Sequence, residues 1–293
     1  MHRFLRAIGF CSINNRKDLD KLLGLVMEKP DKRKEITVSD KKTYTEFSKE
    51  FGPQLGLSSR GEYDARGFYY MEHYFPYCES RLVTSKEDIS VNKRVDTNAF
   101  TGMCDDMRLG ISIIFYLQNA VDYMRLNITD NTPPPAQLTL SGLSLSGMIL
   151  LGTEQDSVSM EQRKHHIEQR NHLIMRAKKG DQEAIDKLTI DEIDLSARVR
   201  RRIKNEDLYT LVESCFIPYG SESDNYSILG TIINWSLNKN IFTGEEIYLM
   251  LLNCNDILLT ISINKQDLLG EPAIGRRFKG VIWMQGHASF TPA

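Results

Sequence analysis

The chain has 293 residues, 41% of them hydrophobic and 26% charged, with a formal net charge of −2. That length accommodates one large domain or two medium ones, and the composition is that of a chain able to bury a core, which excludes wholesale disorder. The near-neutral charge excludes a general attraction to nucleic acid or anionic membrane, so either would need a local patch.

Arg3 to Phe10 reads as a first strand, and Ser12 or Asn14 as the cap of a helix from about Arg16 to Met27. Leu19, Leu22, Leu23 and Val26 share one face of that helix, and Pro30 ends it. From Glu35 to Tyr77 the pattern is β, punctuated by Gly52, Pro53, Gly56 and Gly61. Its end, Phe68 to Tyr77, is aromatic on both alternating faces, as in a strand covered on both sides. Met107, Leu109, Ile111, Ile113, Phe115 and Leu117 alternate strictly, which predicts a central strand. After the stiff connector Pro133-Pro134-Pro135 come two short strands, Gln137 to Leu145 and Met148 to Leu151, with Gly142 and Gly147 permitting a bend or bulge.

Beyond Gly152 the composition turns polar and helical. Ser159 with Gln162 resembles a capping box, Gly180 stops a helix, and Asp181 caps the next, Gln182 to Leu188. A third helical piece runs from about Asp191 to Lys204. The remainder is β again. Leu208 to Ile217 reads as a strand, although its spacing also fits a helix. In Tyr226 to Leu237 the residues Leu229, Ile233, Trp235 and Leu237 share a face. Ile247 to Leu252 and Ile257 to Ile263 flank the turn Asn253 to Asp256, and Val281 to Gln285 closes the set. Trp235 and Trp283, both on apolar strand positions, are expected to be buried.

Several residues invite a chemical reading. Asp105 and Asp106 offer two carboxylates for a divalent ion or for acid and base roles, but adjacent strand side chains face opposite ways, and a turn or an ion pair with Arg108 explains them more simply. Glu161, His165, Glu168 and His172 recur at i, i+4, i+7 and i+11, one helical stripe of metal-ligand types. A solvated face of Glu–His pairs accounts for the stripe without a metal, and no tight metal site is expected. Arg198, Arg200, Arg201, Arg202 and Lys204 form the densest positive cluster, suited to phosphates or an acidic partner, with Glu192, Asp194, Glu206 and Asp207 as internal partners. Arg276 and Arg277, in a loop with Phe278 and Lys279 between two glycines, suit single-stranded nucleic acid, although exposed arginines where a strand begins are the plainer account. The aromatic run Phe68, Tyr69, Tyr70, His73, Tyr74, Phe75 and Tyr77 can line a ligand groove or simply pack between sheet and helix. No phosphate loop, nucleophile motif or cofactor signature appears. Five scattered cysteines, with no C-x-x-C pair, argue for reduced thiols.

Four stretches carry a resemblance: FLRAIGF at Phe4 to Phe10, CDDMRLGISIIFYLQN at Cys104 to Asn119, TLSGLSLSG at Thr139 to Gly147, and LLGEPAIGRRFKGVIWMQG at Leu268 to Gly286. Through them the chain resembles a bacterial family of uncharacterised cytoplasmic proteins found mainly in Gram-positive anaerobes. KKGDQEAIDKL at Lys178 to Leu188 fits too, while His287 to Ala293 departs from the pattern. The resemblance implies a cytoplasmic protein of like architecture and implies no activity.

The expected fold is α+β: an N-terminal antiparallel sheet with a flanking helix over 1–152, a helical insertion over 153–205, and a C-terminal antiparallel β-barrel-like unit over 206–293. The insertion, from about Gly152 to Asn205, is expected to be a mobile element and the chief partner-docking surface. The expected function is non-enzymatic binding or regulation in the cytoplasm, with a protein partner or small ligand and without a membrane. Nucleic-acid binding through the basic helix and the Arg276-Arg277 loop comes second, and an enzyme with a carboxylate site at Asp105/Asp106 third.

Overall fold

The structure, a computed structural model, describes residues 1–39, 42–94, 99–106, 108–109, 111–126, 136–151, 169, 172–191, 214–220 and 224–290. The chain is α+β. Arg3–Ile8 is a 3-10 helix and not a strand. Its buried residues are Phe4, Leu5, Ala7 and Ile8, a helical spacing rather than an alternating one. Gly9, at φ 86°, ends it. Helix α1 (Arg16–Glu28) follows, with Leu19, Leu22, Leu23 and Val26 buried as expected. Its cap is Asn15, whose side chain accepts the Asp18 N–H at 2.9 Å, in place of Ser12 or Asn14.

Strands β1 (Lys32–Ser39), β2 (Lys42–Gly52), β3 (Leu55–Tyr63) and β4 (Tyr69–Cys78) form a four-stranded antiparallel meander in sequence order. Register places Phe47, Leu57 and Ser59 on one face of this first sheet and Glu46, Ser58, Arg60, His73 and Phe75 on the other. The aromatic run at its edge is divided. Phe75 and Tyr77 are buried, whereas Phe68 and Tyr70 are 62% and 59% exposed, so β4 is covered only in its second half. Gly56 and Gly61 lie inside β3 and do not mark turns.

Among the described residues the second sheet has ten strands. Five of them, β8 (Ala136–Leu150), β12 (Ile257–Asn264), β11 (Glu246–Cys254), β10 (Asn225–Lys239) and β14 (Arg277–Phe290), pair in that order, and β14 returns to β8 to close a ring. Its seams are antiparallel except β8–β12, which is parallel. The ring thus takes one strand from before the polar insertion. β7 (Ile111–Leu117) runs parallel to the end of β14 and continues the sheet through β6 (Phe100–Asp106) to β5 (Ile89–Lys93). A short helix, α2 (Ala120–Arg125), follows β7, while β9 (Cys215–Pro218) flanks β10 and β13 (Leu268–Leu269) flanks β8.

Alternation sorts the ring's side chains. Met250, Leu252, Leu259, Ile261, Phe278, Ile282 and Met284 fill the interior core. Leu143, Ile247, Leu249 and Trp283 point the other way, into a second core shared with α1, the 3-10 helix and the first sheet. The expected alternation over 107–117 holds within β7, where Ile113, Phe115 and Leu117 are fully buried. The two strands expected over 137–151 are one, β8. Gly147 is there for space, since a Cβ on it would lie 2.4 Å from the Phe278 ring. The Asn253–Asp256 turn forms with Asn255 and Asp256 at φ 52° and 63°. Trp283 is buried at 6% exposure. Trp235 is not: a bulge between Ile232 and Asn234 shifts the phase of β10 and pairs Trp235 with Met250, yet Trp235 is 38% exposed, its ring meeting only the edge of Tyr248 at 5.8 Å among the aromatic contacts of the described residues.

Of the insertion, helices at 172–178 and 182–191 are described. Gly180 (φ 82°) separates them, and Asp181 accepts the Ala184 N–H at 3.3 Å. The rest of the insertion, with the expected docking surface, lies outside the described residues, and so does the part of the expected strand Leu208 to Ile217 that runs up to Glu213.

The Gly147 contact has a measurable consequence. Gly147→Ala forces the Phe278 ring to move and is expected to cost about 1–3 kcal/mol in urea unfolding. Adding Phe278→Leu should return part of that loss.

Candidate binding cleft

The first sheet meets the second through a buried polar knot. Arg60 of β3 is fully buried. Its Nε donates to Glu46 of β2, its Nη1 to the Tyr116 hydroxyl of β7 at 3.2 Å, and its Nη2 to the Gln118 carbonyl. The guanidinium lies 4.5 Å from the Phe75 ring centroid. Burial works against its charge, but Glu46, then Tyr116 and Tyr44, outweigh it and raise its pKa. Tyr116 in turn sits 3.1 Å from His73 Nε2 and packs beside Trp283, whose indole N–H donates to Asp224 at 3.0 Å. Asp224 also receives Arg94 at 2.6 Å.

From this knot a cleft of about 680 Å³ opens between the N-terminal residues, α1 and β4. Its walls include His2, Asn15, Leu19, Asp20, Glu72 and His73. A bulge between Arg60 and Gly61 makes Glu72 the extra residue of β4, and Gly61 lets the Tyr70 carbonyl approach within 2.1 Å of where a Cβ would stand. The backbone N–H of His2 donates to the Tyr74 hydroxyl at 2.8 Å, and its ring lies 4.8 Å from Trp283. Among the described residues, the Nδ1 atoms of His2 and His73 are buried without a hydrogen-bond partner. Burial first, then Arg3, pulls the pKa of His2 down to about 4. Burial, Arg60, His2 and Arg94 pull His73 down to about 3. Both rings are therefore neutral near pH 7, able to bind a hydrogen-bonding ligand without the desolvation penalty of a charge.

The residues singled out from sequence are dispersed. Asp105 and Asp106 end β6 and face opposite ways. Asp105 is exposed and accepts from Ser112. Asp106 is buried, bonded to Ser85 at 3.0 Å and to the guanidinium and backbone N–H of Arg108, which hold its pKa down against the effect of burial. The ion pair with Arg108 is thus present. Arg277 is buried with its Nε donating to the Leu151 carbonyl at 3.0 Å, so the expectation of two exposed arginines fails there. Arg276, half-buried, donates to the Glu271 carbonyl at 2.8 Å. His172 is exposed on its helix, while Glu161, His165, Glu168, Arg198, Arg200, Arg201 and Arg202 lie outside the described residues. Among the described residues no group of three or more His, Cys, Asp or Glu side chains is placed to share a metal ion. Of the aromatic run, for which packing was the plainer expectation, His73 and Tyr74 line the cleft while Phe75 and Tyr77 are buried. His2 carried no signal, because only folding brings it to β4.

Two outcomes follow from these contacts. Arg60→Ala, which strands the Glu46 carboxylate in the core, is expected to cost about 3–5 kcal/mol. Replacing Arg60 and Glu46 together by Met and Leu should recover most of it in the same chemical melts. The second outcome concerns pH. In the unfolded chain both imidazoles titrate near 6.5, well above their folded values of about 4 and about 3. The unfolded chain therefore takes up protons that the folded chain refuses, so stability falls as pH drops from about 6.5 toward 4. Urea midpoints across that range should decline less steeply in a His2→Gln/His73→Gln variant.

Among the described residues no helix is long and apolar enough to cross a membrane. No curated protein and no solved structure matches the chain. The chain belongs to the family described as a domain of unknown function from an E. rectale gene description (DUF3881), matched over residues 5–286.

Proposed function

We propose that the protein is a non-catalytic binding protein whose ligand enters the cleft between α1 and β4. The observation that carries this reading is the convergence of three separate chain segments, 1–2, 14–23 and 71–74, on one cleft of about 680 Å³. That volume lies in the usual range for ligand sites. Its lining mixes apolar side chains with amides, carboxylates and two neutral imidazoles, the few placed polar groups that orient a ligand in such sites. The buried knot behind it holds the imidazole of His73 in place through Tyr116, so the site is organised before a ligand arrives. The reading places the protein in the cytoplasm, a setting that five scattered cysteines without a pairing motif support.

Asp20 is exposed on α1 at the cleft mouth, so Asp20→Trp narrows the cleft without entering the core. Its own stability should stay within about 0.5 kcal/mol of the parent. In a thermal-shift screen of metabolites and short peptides, compounds that stabilise the parent should fail with this variant. A ligand at a hundred times its Kd adds about 2.7 kcal/mol, well above that margin. A screen in which every stabilising compound acts equally on both proteins, or in which none stabilises the parent, refutes the reading.

A further inference from the structure

Met1 and His2 line one side of the cleft and project from a clamped segment. Past them the chain is fixed. Phe4, Leu5, Ala7 and Ile8 are buried, and Ser262, Asn240 and Thr243 donate to the carbonyls of Ala7, Ile8 and Gly9. His2 precedes the 3-10 helix in an extended conformation, with no side-chain cap. Its backbone N–H donates to the Tyr74 hydroxyl at 2.8 Å, and its ring lies 4.8 Å from Trp283. Trp283 is walled by two further rings, Phe4 at 5.3 Å and Tyr116 at 5.2 Å. Lifting His2 therefore bares the indole toward the cleft.

These contacts suit uncharged imidazoles. The Tyr116 oxygen accepts Arg60 Nη1 at 3.2 Å, so its own proton goes to His73 Nε2 at 3.1 Å. Protonating His73 would oblige that oxygen to accept twice and would leave the phenol proton without an acceptor. Neither Nδ1 has a partner among the described residues, so the closed arrangement already leaves two buried polar atoms unpaired. The surrounding charges act in the same direction. Arg3 and the Met1 amino group oppose a charge on His2, and Arg60 and Arg94 oppose one on His73. Asp224 favours a charge on His2, but it already receives Arg94 and the Trp283 indole. Glu46 is engaged by Arg60, Asp20 of α1 by Arg16, and Glu72 is partnered as well.

We propose that Met1 and His2 form an acid-released latch: with both imidazoles neutral it closes one side of the cleft, and as they take up protons it swings out about Arg3, baring Trp283 and wetting His73. In water an imidazole titrates near 6.5, so the open arrangement binds protons that the closed one refuses. The closed arrangement is at full strength above about pH 6.5 and weakens toward about pH 4. With His2 at about 4 when closed, opening gains about twentyfold between about pH 7 and about pH 5. His73, at about 3, adds a factor of about the same size. Admission of a ligand then follows pH, a consequence that rests on the reading of the cleft as the ligand site. The movement itself does not.

Trp235→Phe leaves Trp283 as the single tryptophan of the chain and gives the latch its own signal. Acrylamide quenching of that protein should rise several-fold from about pH 7 to about pH 5 while its far-UV circular dichroism is unchanged. His2→Phe, which keeps a ring on Trp283 and carries no proton, should hold quenching level over the same range. His73→Gln should leave a rise with about half the pH dependence on a logarithmic scale. The proposal is overturned if quenching stays level in the parent, if it rises as much in His2→Phe, or if it rises only where the circular dichroism is also lost. An uncharged compound from the thermal-shift screen should bind the parent about tenfold more tightly at the lower pH, and His2→Phe equally at both. Equal affinity for the parent at both overturns the gating. A latch that opens in a protein for which the screen yields no cleft compound leaves this inference standing and refutes the ligand reading alone.

Discussion

The guanidinium of Arg60 is the constraint around which the two sheets are arranged. A charge that is wholly buried has to find its partners inside, and this one finds them in three places: Glu46 on its own sheet, the Tyr116 hydroxyl, and the carbonyl just beyond β7. A lysine at this position lacks the planar fork that serves all three directions together. The two sheets are therefore fixed in one orientation, since sliding either would strand a charge or a hydroxyl. Trp283, Asp224 and Arg94 extend the same network, so it also fixes where His73 stands.

A second lock ties down the N-terminal segment. The 3-10 helix ends with carbonyls that its own short length leaves unsatisfied. Side chains of the ring provide the donors: Ser262 to Ala7 at 2.7 Å, Asn240 to Ile8 at 2.8 Å and Thr243 to Gly9 at 2.7 Å. Phe4 stacks on Trp283 at 5.3 Å. The segment that supplies His2 is thus part of the framework, and one wall of the cleft is held by groups more than two hundred residues away along the chain.

Much of the fold is legible in the sequence because alternation and turn chemistry are local. The hairpin around Asn255 and the core faces of α1 and β7 follow from them. The misreadings share one cause, which is tertiary context. Arg3 to Phe10 reads as a strand, yet its carbonyls are served by the side chains of Ser262, Asn240 and Thr243 and not by a strand partner. Trp235 lies beyond a one-residue bulge that no local pattern announces, so it shares a face with Ile232 and Met250 and not with Leu229. Gly61, read as a turn, is a glycine inside a strand, and that position often marks a bulge or a close backbone approach. Read that way, it would have located the irregular edge beside the cleft. The cleft itself is assembled from segments distant in the sequence, and only the aromatic run around His73 hinted at it.

The membership of β8 in the ring bears on how the chain is made. β8 is complete at Leu150, but its partners are β12 and β14, the latter ending at Phe290. At 5–20 residues per second, synthesis of the roughly 140 residues in between takes on the order of ten seconds. Until β12 emerges at Ile257–Asn264, more than a hundred residues on, the fifteen-residue strand has neither of these two neighbours, and β14 comes later still. Ring closure is a contact of high sequence separation, which makes folding slow and leaves the nascent chain open to wrong pairings. The run Ser141-Gly142-Leu143-Ser144-Leu145-Ser146-Gly147 places small polar residues and glycines among the leucines of that strand. Such residues weaken non-native β association while it waits, so the composition of β8 suits a strand that must remain soluble before it can fold.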